Sequence, residues 1–204
     1  LDVSGEQCVV DQGHAVAEAA ARRGAHVTLV TTTDRPASPA IAVVRVDTAA
    51  QMQDAVLAVS DEQDVVVMAA AVADFRPKDT ANRKIKKEDG LSEIVLEPTH
   101  DFLVDLGARK PAGQVLVGFA AETDDVLANA VAKLNRKRLD LIVANDVSEP
   151  DAGFEVDTNR VTILQAGGTQ VELPLLTKAA VADAILDRVV AVLAERSVGR
   201  DQRS

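Results

Sequence analysis

Residues 64–87 (DVVVMAAAVADFRPKDTANRKIKK) constrain the fold more than any other stretch of this sequence. The stretch opens with a β-branched and apolar run, residues 64–69, which is typical of a strand that helices cover on both faces. Small residues then lead through Asp74 and Phe75 to a lysine cluster at residues 84–87. A buried strand that opens into a basic segment predicts an anion site at a sheet edge.

The rest of the chain alternates apolar strands with amphipathic helices. Gly24 follows the first helix at the position that favours a left-handed cap. Strands are predicted at residues 26–31, 41–46, 93–98, 115–120 and 140–146, and helices at residues 13–23, 49–59, 101–109, 122–138 and 177–196.

This order predicts an α/β protein with a Rossmann-like, doubly wound and mostly parallel sheet. Residues 161–165 and 170–173 flank a glycine-containing turn and predict a hairpin at the C-terminal edge of that sheet. Three threonines precede predicted helices and are expected to cap them. They are Thr48, Thr99 and Thr177.

The composition restricts the partners that we expect. A net charge of −10 argues against nucleic acid and an anionic membrane, but not against a small anion in a local basic pocket. No apolar run approaches the roughly 20 residues of a membrane-spanning helix. Cys8 is the only cysteine, which excludes an internal disulfide and fits a reducing compartment, so we expect a cytoplasmic protein.

The sequence divides into three expected segments. Residues 1–12 form an atypical or truncated N-terminal segment, residues 13–196 the folded domain, and residues 197–204 a disordered tail. Gly13 is expected to precede the first helix, whose N-terminus is then a place for an anion. Residues 75–90 are predicted to form an exposed, mobile loop, because they contain few apolar side chains. Neither glycine-rich phosphate-binding fingerprint occurs in the sequence.

Polar residues follow three predicted strands at the points where these strands end. They are Asp74, Glu122, Thr123, Asn145 and Asp146. Ligands bind beyond the carboxyl ends of the strands in open α/β sheets, so the set predicts a pocket, although surface exposure alone explains each member.

The lysines are ambiguous when they are judged from spacing alone. Lys133 and Lys137 are four residues apart on a predicted helix, and from spacing alone ordinary solvation of that helix face explains them better than function does. The cluster at residues 84–87 is followed by Glu88 and Asp89, which neutralise part of its charge.

Several motifs taken together resemble one family, the bacterial CTP-dependent phosphopantothenate–cysteine ligase domain. This domain is commonly the C-terminal half of a bifunctional coenzyme A biosynthesis flavoprotein. The resemblance covers roughly residues 13–196. Its motifs are AAAVADFRP at 69–77, KIKK at 84–87, GFAAET at 118–123, Lys133 and Lys137, LDLIVAND at 139–146 and GF at 153–154.

The resemblance implies a reaction with two steps. The family transfers CMP from CTP to the carboxylate of 4′-phosphopantothenate, and the amine of L-cysteine then displaces CMP. It also implies Mg²⁺ and a homodimer in which residues 75–90 cover a partner's site. FMN is expected only if a flavin decarboxylase domain precedes this chain.

The resemblance also assigns residues. Lys84 matches the catalytic loop lysine, and Asp74 matches the acid that contacts the nucleotide and helps to hold Mg²⁺. Asn145 and Glu122 are further candidates. The other implied nucleotide-binding residues are Ala70, Ala71, His100, Asp101, Phe102, Leu103, Phe119, Lys133 and Lys137.

The sequence departs from the family in two places. His100-Asp101-Phe102 stands where the family usually reads Pro-Asp-Ile. The family's Asn-x-Ser-Ser-Gly-Lys segment is missing, and residues 6–12 (EQCVVDQ) put Asp11 at the lysine position, where an acid would repel a triphosphate.

Two alternatives to an active ligase therefore stay open. One is a catalytically impaired nucleotide-binding or dimerising fragment or paralogue. The other is an NAD(P)-dependent Rossmann oxidoreductase, which the missing glycine fingerprint and the absence of tyrosine disfavour.

Overall fold

A computed structural model gives the structure of residues 4–70, 72–78, 94–122, 125–146 and 158–201. The helices lie close to the predicted positions, except that the first begins nine residues before its expected start. They are α1 (Ser4–Arg22), α2 (Ala49–Val59), α3 (Phe102–Arg109), α4 (Val126–Arg136) and α5 (Lys178–Asp201), with a 3₁₀ turn at Ser60–Glu62.

Eleven strands occur within these residues. They are β1 (Val27–Thr31), β2 (Ile41–Arg45), β3 (Val65–Met68), β4 (Phe75–Pro77), β5 (Leu96–Pro98), β6 (Val115–Glu122), β7 (Leu141–Asp146), β8 (Thr158–Asn159), β9 (Val161–Gln165), β10 (Gln170–Glu172) and β11 (Leu176–Thr177).

The largest sheet has five strands in the order β10-β9-β7-β6-β3. Strands β3, β6 and β7 are parallel, whereas β9 and β10 form the predicted antiparallel hairpin at one edge. Parallel strands β1 and β2 form a separate two-stranded sheet rather than a continuation of the larger one. The prediction of an α/β, Rossmann-like and mostly parallel fold is confirmed.

Helices cover both faces of the five-stranded sheet. Side chains alternate between the faces along each strand, so Val115 and Val117 join α1 and α5 in one core, which is closed by Ile185. Leu116 and Ile142 point the other way and pack with α2, α3 and α4. This two-sided cover explains why the strands are continuous apolar runs rather than alternating ones.

Local signals set several element ends as predicted. Thr48 caps α2 in a reciprocal capping box with Gln51. Gly24 has a φ of 84°, and the amides of Gly24 and Ala25 bond to the carbonyls of Ala21 and Ala20, which is the Schellman arrangement. At the start of α5, the amide of residue 180 donates to the Thr177 hydroxyl at 3.2 Å.

The expected start of the first helix at Gly13 is wrong. Helix α1 begins at Ser4, so Gly13 lies inside the helix and offers no N-terminal amides to an anion. A Cβ at Gly13 would lie 3.4 Å from the Cβ of Ala69. The glycine therefore allows α1 to pass close to the end of β3. From the sequence alone, a glycine at this position is interpreted as the start of a helix.

Other boundaries also differ from the prediction. Residues 75–77 form strand β4 instead of a loop, because they pair with β5 across a gap in the sequence. Asp101, not Thr99, precedes α3. Helix α5 continues to Asp201 into the segment expected to be disordered. No helix in the described part of the chain is long and apolar enough to cross a membrane.

Candidate nucleotide site

Strands β4 and β5 form a short antiparallel ribbon that places Asp74 beside the start of α3. Phe75 pairs with Pro98, and the amide of Thr99 donates to the carbonyl of Asp74 at 2.8 Å. The side chain of Asp74 is exposed. Two separated stretches that the sequence assigned to the nucleotide site are thus brought together by backbone hydrogen bonds.

Lys137 reaches the same place from the end of α4. Its Nζ lies 2.8 Å from Oδ2 of Asp101, with the lysine side chain 15% exposed and the aspartate side chain 44% exposed. Gly107 permits this approach, because a Cβ there would collide with the carbonyl oxygen of Lys137. A lysine ammonium is therefore held beside the ribbon that carries Asp74.

The residues at the start of α3 differ in exposure. His100 is exposed, and its Nε2 lies 2.6 Å from Oδ2 of Asp105. Phe102 and Leu103 are 2% and 8% exposed and belong to the core beneath α3. Because their side chains are buried in this core, the predicted contact of these two residues with a nucleotide could be made only by their backbone atoms.

The strand-end residues lie in register but divide between the two faces of the sheet. Ala121 is paired with Asn145 across β6 and β7. Phe119 and Asn145 alternate onto the face covered by α1 and α5, whereas Ala70 packs on the opposite face, with the core that includes α2 and α3. The two groups are near each other only at the carboxyl edge of the sheet.

Asn145 is 8% exposed, and its Oδ1 has no hydrogen-bond partner among the described residues. Buried amide oxygens usually accept a hydrogen bond, so this oxygen is available to a donor outside the described residues, such as a ligand group, a water or another part of the chain. This observation supports Asn145 as a candidate site residue.

Lys133 lies in the last turn of α4, and its carbonyl accepts a hydrogen bond from the amide of Lys137 at 2.9 Å.

Some other predicted site residues lie outside the described residues. The undescribed set comprises Ala71, Lys84, Lys86, Lys87, Thr123, the Gly153–Phe154 pair and the side chains of Glu122 and Asp146.

Asp74 is the residue expected to help hold Mg²⁺. No group of three or more metal-ligating side chains occurs in the part of the chain that the structure describes. Mg²⁺ keeps several waters and usually takes one or two protein carboxylates together with substrate phosphates. A single exposed carboxylate at Asp74 fits that mode of binding.

Sequence reasoning missed a buried polar cluster on α1 and α5. Gln12 is 1% exposed and donates from Nε2 to the carbonyl of Lys178 at 3.1 Å. Lys178 is 8% exposed, and its Nζ lies 3.4 Å from Oδ2 of Asp11. One signal was available, because Lys178 stands in the first turn of a helix, where the dipole disfavours a cation.

The same cluster offsets the negative charge of Asp11. Besides Lys178, Nη1 of Arg35 lies 2.5 Å from Oδ1 of Asp11. Two cations therefore offset the carboxylate that the sequence analysis expected to repel a triphosphate.

His14 lies deeper in α1 and is 3% exposed. Its Nε2 is 3.4 Å from the hydroxyl oxygens of Thr31 and Thr33, while Nδ1 has no partner among the described residues. Burial, with a smaller contribution from the positive charge of Arg35, lowers the pKa of His14 below its usual 6.5.

The family model of the DNA/pantothenate metabolism flavoprotein C-terminal domain matches residues 5–193. The chain belongs to this family.

Relatives of this flavoprotein domain carry two kinds of name. A protein named coenzyme A biosynthesis bifunctional protein CoaBC, from Bacillus subtilis, is 46% identical over 183 residues, which are 88% of this chain and 45% of the relative. A protein of an unknown prokaryotic organism, named cysteine/cysteine sulfinic acid decarboxylase, is 45% identical over 183 residues, 89% of this chain and 51% of the relative.

The chain thus spans about half the length of these curated relatives. A crystal structure of the C-terminal domain of a CoaBC protein is 38% identical and superposes with a TM-score of 0.76, covering 91% of this chain and 83% of that one. The flavoprotein C-terminal domain is therefore a unit common to relatives with different names.

We predict that His14 makes the stability of the fold depend on pH. Because the pKa of His14 is lower in the folded chain than in the unfolded chain, the unfolded chain binds a proton at this histidine more readily. The free energy of unfolding should therefore fall as the pH drops below 6.5, by at most about 1.4 kcal/mol per pH unit from this group. Urea unfolding between pH 5 and pH 8 measures this slope.

In the variant His14→Gln that part of the slope should disappear. His26→Gln, at an exposed position, is the matched control and should keep the slope of the unaltered chain. Equal slopes in His14→Gln and the unaltered chain would contradict the assignment.

Proposed function

We propose that this domain is a CTP-dependent phosphopantothenate–cysteine ligase of coenzyme A biosynthesis. The observation that carries the proposal is the meeting of Asp74, Asp101 and Lys137 at the β4–β5 ribbon, at positions that the motif resemblance assigns to nucleotide binding. The CoaBC relatives support the same activity. Membership in the family favours it over an NAD(P)-dependent oxidoreductase.

The proposed chemistry activates a carboxylate that an amine cannot attack directly. The 4′-phosphopantothenate carboxylate oxygen attacks the α-phosphorus of CTP, the bond to the bridging oxygen breaks, and pyrophosphate leaves. The nitrogen of cysteine then attacks the carbonyl carbon of the acyl-cytidylate. CMP leaves with the electron pair of the broken C–O bond, and the ammonium proton is lost as the amide forms.

In this proposal the residues stabilise the charge that develops at the α-phosphate. Lys84 supplies the catalytic cation. Lys133 and Lys137 bind the triphosphate, and Asp74 helps to hold Mg²⁺, which lowers the negative charge of the phosphates when bound. The motif resemblance assigns Phe119, Ala70 and Ala71 to the lining of the nucleotide pocket.

A second candidate is an impaired nucleotide-binding domain. The observation that favours it is the continuous helix α1, in which Asp11 occupies the position of a lysine in the family motif and already has two cationic partners. Such a domain would bind CTP without releasing CMP. One relative is named a decarboxylase, but this chain matches only about half of that protein. We therefore do not extend the decarboxylase activity to this domain.

We also propose a cytoplasmic homodimer in which the ribbon and the following residues cover a partner's site. Four large apolar side chains on the ribbon and beside it support this, because their exposure is unusual for residues of this kind. They are Phe75 at 58%, Ile94 at 75%, Val95 at 59% and Leu96 at 55%.

Lys84→Gln should abolish ligation. The chain is incubated with CTP, Mg²⁺, 4′-phosphopantothenate and cysteine, and CMP, pyrophosphate and amide are followed by chromatography. We expect equimolar products and a loss of at least about a hundredfold in the variant, since one positioned charge is worth roughly this much. Arg136→Gln, which removes an exposed positive charge next to Lys137, is the control and should stay active.

Stabilisation of the chain by CTP without any CMP would favour the impaired domain instead. If CTP does not stabilise the chain and no product forms, both candidate functions are removed. Equal activity in Lys84→Gln and the unaltered chain would remove the catalytic assignment.

Leu96→Asp should weaken the dimer, because it places a charge in the exposed apolar ribbon. Sedimentation at micromolar concentration should give a dimer for the unaltered chain and a smaller species for the variant. Val131→Asp, at a 44% exposed apolar residue on α4, is the control. A monomeric unaltered chain would contradict the proposed dimer.

A further inference from the structure

Helix α4 ends in a turn, residues 137–140, that leads directly into β7. The amides of Arg138 and Leu139 donate to the carbonyls of Asn135 and Leu134 at 3.2 and 2.9 Å, which is the Schellman arrangement. At the centre of this α4–β7 turn, Arg138 takes the left-handed conformation with a φ of 51°. Because this conformation is unfavourable for a residue with a Cβ, it persists where surrounding contacts hold it.

Helix α3 supplies such contacts from one side of the turn. A Cβ at Gly107 would collide with the carbonyl oxygen of Lys137 and lie 2.9 Å from its carbonyl carbon, so a larger residue fits only if backbone shifts. Three residues further on, Nζ of Lys110 donates to the carbonyl of Arg138 at 2.9 Å. The same ammonium lies 2.8 Å from Oδ2 of Asp140, and the lysine side chain is 17% exposed. Helix α3 thus holds the carbonyls of two successive residues of the turn.

A third contact joins α3 to the other end of Lys137. Its Nζ pairs with Asp101, the residue before α3, whereas its carbonyl lies against Gly107. Phe102 and Gly107 are separated by about 8 Å along the helix axis, because each residue of a helix adds 1.5 Å. The lysine side chain therefore runs along α3 towards the ribbon of β4 and β5, and this helix determines the position of both of its ends.

The ion pair by itself is the weaker of these constraints. The carboxylate of Asp101 is 44% exposed, so water competes for it. The backbone contact has no such competitor, because Gly107 is buried and the carbonyl of Lys137 cannot move closer to it. The direction in which the Lys137 side chain leaves the backbone is therefore set mainly by Gly107 and Lys110.

We propose that Gly107 and Lys110 are positioning residues, which act through Lys137 by holding its ammonium at the candidate nucleotide site before a ligand arrives. A side chain that is already in place loses less conformational freedom when it contacts a phosphate, so the ligand binds more tightly. The nucleotide as ligand rests on the proposed function, whereas the positioning of the ammonium rests on the three contacts with α3.

Lysine acetylation without nucleotide tests the positioning by itself. The chain is labelled with a limiting amount of acetic anhydride, and modification of each lysine is measured by mass spectrometry. In Gly107→Ala the displaced carbonyl should separate Lys137 from Asp101, so Lys137 should react about threefold faster, since an exposed pair is worth up to roughly this factor. Lys133, one turn earlier on α4, is the internal reference and should react equally in both chains.

Ala108→Gly is the matched control, because it makes the reverse change at the next residue of α3, which is exposed. It lowers the helix propensity of α3, whereas Gly107→Ala raises it. The reactivity of Lys137 should nevertheless stay unchanged in Ala108→Gly. An increase equal to that of Gly107→Ala would show that any disturbance of α3 has this effect, and it would overturn the proposal.

Lys110→Met is the second variant, and it keeps the proposal testable if Gly107→Ala does not fold. It removes the donor to the carbonyl of Arg138 but keeps an apolar stem of similar length, and it should also raise the reactivity of Lys137. Unchanged reactivity of Lys137 in every variant that folds would overturn the proposal.

A double-mutant cycle on CTP binding then tests whether Gly107 acts through Lys137. With Mg²⁺ present, Gly107→Ala should raise the Kd for CTP at least about fivefold in the otherwise unaltered chain, and by less than about twofold in Lys137→Gln. A merely structural role would raise the Kd by the same factor in both chains and would overturn the proposal. If the unaltered chain does not bind CTP, the proposed function fails, and the acetylation rates, which need no nucleotide, still confirm or overturn the positioning.

Discussion

Backbone pairing in a parallel sheet is the constraint on which the rest of this structure depends. Such a sheet has to be covered by helices on both faces and paired on both sides, and β6 and β7 meet both conditions. Their register fixes the carboxyl edge and places Asn145 there. The helices that cover one face then place Asp101 and Lys137 together. The site is thus a consequence of how the sheet is covered.

The charges of the chain follow a related logic. The net charge is −10, and two described lysines contact acids, Lys137 with Asp101 in the candidate site and Lys178 with Asp11 in the α1–α5 cluster. The carboxylate of the Lys137–Asp101 pair is 44% exposed, and a pair so open to water on one side contributes little stability, so exchanging this carboxylate for a phosphate costs little. The triphosphate binding that we propose therefore does not require a permanently basic surface.

Elements governed by local signals were predictable from the sequence. The Thr48 capping box, the glycine end of α1 and the apolar runs of β3, β6 and β7 are examples, and so is the hairpin. Features that depend on distant partners were not. Strand β4 exists only through its pairing with β5, Gly13 is explained by its contact with Ala69, and the burial of Lys178 appears only once α1 and α5 pack together. The division of the strand-end residues between two faces likewise required the register.

Amide exchange with and without CTP tests the central claim most directly, namely that the ribbon and the start of α3 bind the nucleotide. With CTP and Mg²⁺ present, residues 72–78 and 94–103 should exchange more slowly than with Mg²⁺ alone, while β9 and β10 should not change. Unchanged exchange in both segments at millimolar CTP, or slowing confined to other parts of the chain, would contradict the account.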